Sequence, residues 1–165
     1  MKRWIRAHAI GLTLLLVLSI MVMIFLFSSQ PADESDQSSG IFVSLIQKLV
    51  FPYFSEFDPA KQAQIEHGIS FVVRKTAHFT EYALLGLALK LHVSALEMQR
   101  PVIAPRILPI LIGILYAASD EFHQIFVPGR SGELRDVLLD SLGVVLGMLL
   151  VSMWRKKRAK GSTEA

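Results

Sequence analysis

Polar side chains recur at helical spacing in three places of an otherwise apolar chain. The groups are His78, Glu81 and Tyr82; Asp120, His123 and Gln124; and Asp136 and Asp140. Residues three or four apart share one face of a helix, so each group predicts one polar stripe. Ionisable groups at membrane depth are costly unless they pair or serve a site. We therefore expect the three stripes to face one another around a polar chamber.

Four basic residues flank these stripes. Arg74 and Lys75 precede the first stripe, and Arg130 and Arg135 follow a Pro-Gly turn. Arginine binds phosphate or carboxylate through paired hydrogen bonds. We expect Arg74, Lys75, Arg130 and Arg135 to hold an anion at the chamber. The side chains expected to orient that anion are Tyr82 and Gln124.

The residue types suit several chemistries, which the sequence leaves open. Histidine and carboxylate side chains from three helices suit a divalent metal ion, although no H-E-x-x-H motif is present. The same groups could instead bind an anion, or they could only pair with one another and hold the helices together. The remaining alternative is acid–base catalysis, because a histidine beside a carboxylate can share a proton. The candidates for that role are His78, Glu81, Asp120, His123, Asp136 and Asp140.

The composition is that of a helical membrane protein. Of the 165 residues 52% are apolar, and cysteine is absent, which excludes disulfides and cysteine metal sites. The net charge of +3 does not indicate nucleic-acid binding. A helix needs about 20 apolar residues to span a bilayer. The sequence predicts an all-α bundle with four spans, at about 9–27, 71–93, 107–126 and 137–154. For the first span, a cleaved signal peptide is the alternative.

The segments between the spans have distinct patterns. In the outer loop 28–70, Pro31–Gly40 is rich in Ser and Asp and predicts a loop, whereas Ile41–Phe51 has the spacing of an amphipathic helix on the membrane surface or over the bundle. Asp58 before Pro59 predicts the start of a polar helix that ends near His67, ahead of the second span. Another loop is expected around Pro101 and Pro105.

The basic residues predict the orientation. In a four-span topology, eleven of them lie on the side of both termini, including those of the tail 155–165, and six lie on the other side. The positive-inside rule places both termini in the cytoplasm, so the chamber opens outward. In the last span, Gly143 and Gly147 form a G-x-x-x-G pair that lets a helix approach closely. The sequence leaves open whether that helix belongs to this chain or to a second copy in a homodimer.

Four motifs resemble the VanZ-like family of membrane proteins. The first is Phe27-Ser28-Ser29-Gln30, and the second is the segment 74–86, from Arg74-Lys75-Thr76 to Leu85-Gly86. The third is the segment 119–132, with Ser119-Asp120-Glu121-Phe122-His123-Gln124 and Pro128-Gly129-Arg130. The fourth is the segment 136–143, which begins at Asp136. The resemblance implies a small multi-span protein of the bacterial cytoplasmic membrane, linked in some members to lower susceptibility to the glycopeptide teicoplanin. It implies no reaction.

Together these patterns predict a single VanZ-like membrane domain over residues 1–165. We expect its chamber to bind or modify a lipid-linked envelope precursor or a phospholipid headgroup. Whether the protein is an enzyme is left open. One alternative is a non-enzymatic membrane protein that alters antibiotic access or assists a partner, with the polar cluster as structural support. The other is a small transporter, which the apolar cytoplasmic halves of the spans disfavour.

Overall fold

The computed structural model describes residues 2–97 and 107–161, and these form helices without any β-strand. The predicted all-α class is therefore confirmed. The predicted loop around Pro101 and Pro105 and the tail residues 162–165 lie outside the described residues. The helices are α1 (Lys2–Ser28), α2 (Ala32–Val50), α3 (Pro59–Glu97), α4 (Leu108–Gln124) and α5 (Leu134–Gly161), with a short 3-10 helix at Phe54–Glu56.

The central element is α3, which contacts α1, α2, α4 and α5. It begins as predicted, because the Asp58 carboxylate accepts the backbone N–H of Lys61 at 3.0 Å. The predicted separation of a polar helix from the second span is wrong, since α3 continues for 39 residues. Gly68 lies at that junction within the helix, and a helical glycine costs only about 1 kcal/mol relative to alanine, which tertiary packing can offset.

The predicted loop at Pro31–Gly40 is also wrong, because nine of its ten residues belong to α2. Asp33 and Glu34 lie in the first turn, where acidic side chains stabilise the positive end of the helix dipole. The polar composition of this segment therefore supports a helix start. One face of α2 packs on α3, while Ile41 and Leu49 on another face are 78% and 74% exposed.

The core joins α3 to the three helices around it. Gly143 and Gly147 of α5 lie against α3, because a Cβ added at Gly143 would lie 2.6 Å from the Phe79 carbonyl oxygen and one at Gly147 would meet the Ala83 carbonyl. The G-x-x-x-G pair thus packs against a helix of the same chain, and the possible homodimer stays a prediction. The buried apolar core consists of Val17, Ile24, Tyr82, Leu85, Ala88, Leu89, Ala117, Val144 and Met148.

Two stretches among the described residues are long and apolar enough to cross a membrane, His8–Ser28 and Leu134–Arg158. They correspond to the first and fourth predicted spans. The helices at the second and third predicted spans, α3 and α4, do not meet this criterion of length and apolar composition. Helix α4 has 17 residues, fewer than the roughly 20 that span a bilayer, and α3 carries the first polar stripe. The four-span arrangement therefore stays a prediction.

The close approach of α3 and α5 can be tested with one added methyl group. We expect Gly147→Ala to lower the melting temperature in detergent, because overpacking a tight contact costs about 1–3 kcal/mol. Gly68→Ala is the matched control, since a Cβ there meets nothing within 4 Å. It should melt at or above the wild-type temperature. Equal melting of Gly147→Ala and wild type would contradict the packing.

Candidate functional site

Polar side chains from three helices and one turn meet at the end of the bundle where α4 ends and α5 begins. They surround a cavity of about 180 Å³, here called the polar cavity. Seven of the residues predicted for the chamber line it: Arg74, Lys75, His78, Gln124, Arg130, Asp136 and Asp140. Other lining residues include Ala32, Phe71, Glu121, Gly129, Ser131 and Glu133.

Asp120 lies outside the polar cavity and connects α4 to α1. Its Oδ1 accepts a hydrogen bond of 2.5 Å from the Ser28 hydroxyl, and its Oδ2 accepts one of 3.2 Å from the Gln124 amide. Ser28 is fully buried and Asp120 is 3% exposed. Both carboxylate oxygens are therefore occupied within the protein, which favours a structural role for Asp120 over a catalytic one.

Glu121 lines the polar cavity, yet the stripe analysis did not select it. Its Oε2 accepts the backbone N–H of Glu133 at 2.9 Å and so fixes the start of α5. A residue next to Asp120 in sequence points about 100° away on a helix, and the spacing rule therefore passed over it. The signal that could have found it is its distance of three residues from Gln124, whose amide lies 3.4 Å from Oε1.

Arg130 attaches the α4–α5 turn to the end of α1. Its Nε donates to the Gln30 carbonyl at 2.8 Å, and its NH2 group donates to the Phe27 carbonyl at 3.3 Å. These are carbonyls at the negative end of a helix, where a cation is favourable. Gly129 has φ +73°, a conformation that favours glycine and allows the turn to place Arg130 there. Burial lowers the pKa of the Arg130 guanidinium, and the charge of Arg74 lowers this pKa further.

An ion pair connects α3 to α5. Lys75 pairs with Asp136; the Lys75 side chain is half-buried and that of Asp136 is 10% exposed. Arg135, one residue before Asp136, instead pairs with Glu133 on the surface, and its side chain is 70% exposed. This hydrogen bond lowers the pKa of Glu133. The structure therefore does not bring Arg135 to the polar cavity, because consecutive residues of α5 face different directions.

Two further predicted residues face other surroundings. The Nε2 atom of His123 lies 3.1 Å from the Ser29 hydroxyl, and its ring lies 4.8 Å from that of Phe25, so this histidine contacts α1. Tyr82 is fully buried in the core, with its ring 6.1 Å from that of Tyr116. Neither residue lines the polar cavity.

Some buried polar atoms have no hydrogen-bond partner among the described residues. At the polar end of the bundle these include Asp140 Oδ1, His78 Nδ1, Glu81 Oε2 and Tyr82 Oη. Asp140 is 1% exposed and lines the polar cavity. An unsatisfied buried polar atom costs about 1–3 kcal/mol, so a bound molecule that supplies a donor there would be stabilised.

A second cavity, of about 270 Å³, lies between α2, α3 and the end of α1 and is here called the side cavity. Three residues, Arg74, His78 and Arg130, line both cavities and form the wall between them. Glu81 lines the side cavity but not the polar cavity, and its Oε2 lies 3.8 Å from His78 Nδ1. The remaining lining residues are Phe27, Gln30, Ser35, Ser39, Phe42, Val73 and Ala77.

The metal-ion alternative gains no support from the geometry. Within residues 2–97 and 107–161, no group of three or more His, Cys, Asp or Glu side chains is arranged to hold a metal ion. Arg74, Lys75 and Arg130 instead line the polar cavity together with its carboxylates. The arrangement suits a molecule with its own charged groups better than a bare cation.

The fold and the site define a class: an all-helical bundle with two membrane-length apolar helices and a polar cavity at one end. The sequence model of the VanZ/LLP1 family matches residues 13–155. The chain therefore belongs to the VanZ/LLP1 family, which confirms the resemblance found in the motifs. No curated protein and no solved structure matches the chain.

Asp120 and Asp140 make a matched pair for testing which carboxylates hold the fold. We expect Asp120→Ala to destabilise the protein by about 1–3 kcal/mol, because the Ser28 hydroxyl loses its acceptor. Asp140→Ala should cost less, because its Oδ1 has no partner to lose. Thermal unfolding in detergent would measure both. The assignment is contradicted if Asp140→Ala is the more destabilised variant.

Proposed function

We propose that the chain is a four-span protein of the bacterial cytoplasmic membrane, formed by α1, α3, α4 and α5, with both termini in the cytoplasm. The exposed side chains of α1 support this, since Leu12, Leu15 and Val22 are 67%, 61% and 58% exposed and suit contact with lipid. In this orientation Lys90 and the basic end of α5 lie on the cytoplasmic side, as the positive-inside rule requires. The polar cavity and α2 then lie at the outer surface.

We further propose that the polar cavity binds the charged headgroup of a membrane amphiphile such as a phospholipid or a lipid-linked envelope precursor. The observation that carries this proposal is that Arg74 and Arg130 line the same cavity as Asp140, whose Oδ1 has no hydrogen-bond partner among the described residues. Guanidinium groups in a confined site suit a phosphate. The cavity lies beside the outer leaflet in the proposed orientation, where such headgroups are concentrated.

A structural role for the polar cluster is a second candidate, and specific contacts favour it for some residues. The Lys75–Asp136 pair, the Ser28–Asp120 hydrogen bond and the contacts from Arg130 to α1 each join different elements. We assign the Lys75–Asp136 pair and the Ser28–Asp120 hydrogen bond to holding the bundle. Arg130 contacts α1 and also lines the polar cavity, where the N–H donors left by its two bonds to α1 could meet a phosphate. Asp140 Oδ1 has no hydrogen-bond partner among the described residues, and His78 Nδ1 and Glu81 Oε2 have only their mutual contact at 3.8 Å, so these three residues are the better candidates for ligand contact.

The site supports binding more than any particular reaction. His78 and Glu81 are the pair closest to an acid–base arrangement, at 3.8 Å, and they would serve a reaction if the bound molecule presents a bond beside them. A transporter gains no support, since Leu85, Leu89, Val144 and Met148 fill the other half of the bundle.

The proposed topology predicts which positions an impermeant reagent reaches. Because the chain has no cysteine, single cysteines can be added without removing native ones. We expect Asp33→Cys on α2 to react with a membrane-impermeant maleimide in intact cells. Lys156→Cys at the end of α5 should react only after permeabilisation. Labelling of both positions in intact cells would contradict the placement of the termini.

The proposed site also predicts the outcome of a susceptibility assay. We expect expression of the wild-type chain to raise the teicoplanin concentration that inhibits a susceptible bacterial host, and we expect Asp140→Asn to lose this protection. Asp33→Asn removes one exposed acid on α2 and is the matched control. Membrane abundance of each variant is measured by immunoblotting. Full protection by Asp140→Asn would exclude the polar cavity from this phenotype.

A further inference from the structure

We infer that the two cavities together bind a phospholipid whose headgroup carries an ammonium group beyond its phosphate, with part of one hydrocarbon chain in the side cavity. This inference rests on the proposed headgroup-binding function and adds the class of lipid. It depends on the order in which apolar, cationic and acidic side chains line the two cavities.

The shared wall sets that order. Arg74 and Arg130 line both cavities, so the positive charge lies at the boundary between them. The aspartates Asp136 and Asp140 line only the polar cavity. On the opposite side, the side cavity is lined mainly by apolar surface, from Phe27, Phe42, Val73 and Ala77, with Gln30, Ser35, Ser39 and Glu81 as its own polar residues. From the side cavity to the polar cavity, the lining therefore changes from mainly apolar to the two arginines, and then to Asp140 and the Lys75–Asp136 pair.

An aminophospholipid presents its groups in the matching order. Its chains are apolar, its phosphate suits the guanidinium groups of Arg74 and Arg130, and its ammonium lies beyond the phosphate. Asp140 supplies the acceptor for the ammonium, because its Oδ1 is buried without a partner among the described residues. An anionic lipid without an ammonium would leave this atom unsatisfied.

The side cavity has an opening through which a chain can enter. Phe27 at the end of α1 is 48% exposed, and Phe42 of α2 is 61% exposed. Both line the side cavity, so their exposed parts would contact lipid at its edge in the proposed orientation. A volume of about 270 Å³ suits a segment of a chain, while the rest of the lipid stays in the bilayer.

Lipid retention measures the headgroup preference directly. The full chain is placed in nanodiscs of equal phosphatidylethanolamine and phosphatidylglycerol, and the lipids retained on release are counted by native mass spectrometry. We expect wild type to retain phosphatidylethanolamine preferentially. Asp140→Asn should reduce this preference at least tenfold, equivalent to about 1.4 kcal/mol, because the ammonium loses its charged acceptor. Asp33→Asn, the exposed control, should keep it.

The chain contact is tested separately by filling the side cavity. Ala77→Trp places a large side chain at its lining, and Thr76→Trp is the control because Thr76 is exposed and lines neither cavity. We expect Ala77→Trp to lose retention of both lipids and Thr76→Trp to keep it. Glycerophosphoethanolamine, which has the headgroup without chains, should still bind Ala77→Trp in a calorimetric titration.

The outcomes separate this inference from the function on which it rests. Equal retention of the two lipids by wild type overturns the ammonium assignment and leaves headgroup binding standing, and this measurement requires no variant. Unchanged retention by Ala77→Trp overturns the role of the side cavity alone. If wild type retains neither lipid and binds no glycerophosphoethanolamine, both the inference and the proposed headgroup function fail.

Discussion

The arrangement of the bundle depends on the cost of burying charge between apolar helices. A buried charge without a partner is destabilising by several kcal/mol, so each one constrains the position of the element that neutralises it. Lys75 and Asp136 connect α3 to α5, Asp120 and Ser28 connect α4 to α1, and Arg130 attaches the α4–α5 turn to the end of α1. These contacts join different pairs of elements. Apolar packing alone is less directional and would not specify the same rotation of each helix.

Some polar groups of the cluster are paired and others are not, which is why we propose a structural role for the first and a binding role for the second. The paired groups hold the polar end of the bundle together, and they leave a cavity between them. Asp140 lines this cavity with an unpartnered oxygen, and His78 lines it from the opposite helix. A structural cluster would be most stable with every group satisfied. The unsatisfied atoms are therefore where the proposed binding function is best sought.

The spacing of the polar stripes follows from helix geometry, and four of their eight residues, His78, Gln124, Asp136 and Asp140, line the polar cavity. The partners of the stripe residues were predicted less well. Spacing indicates which residues share a face of one helix, but not which other helix packs against that face. His123 consequently contacts α1, and Arg135 contacts Glu133 on the surface. The errors at Pro31–Gly40 and after His67 have another cause. Both predictions divided the chain where its composition changes from polar to apolar, whereas helix-dipole interactions and tertiary packing allow the helices to continue across that change.

The close contact of α3 and α5 determines where the polar cavity ends. Gly143 lies one turn beyond Asp140 on α5, and a Cβ there would lie 2.6 Å from the Phe79 carbonyl oxygen. Gly147 and Gly86 continue the contact further along the same helices. The backbones of α3 and α5 therefore leave no space between them on the side of Asp140 that faces away from the polar end. The buried apolar core lies beyond this contact. The close contact of α3 and α5 would therefore confine a molecule in the polar cavity to the Asp140 end of the bundle. This arrangement suits a binding site for a headgroup and opposes a continuous path through the bundle.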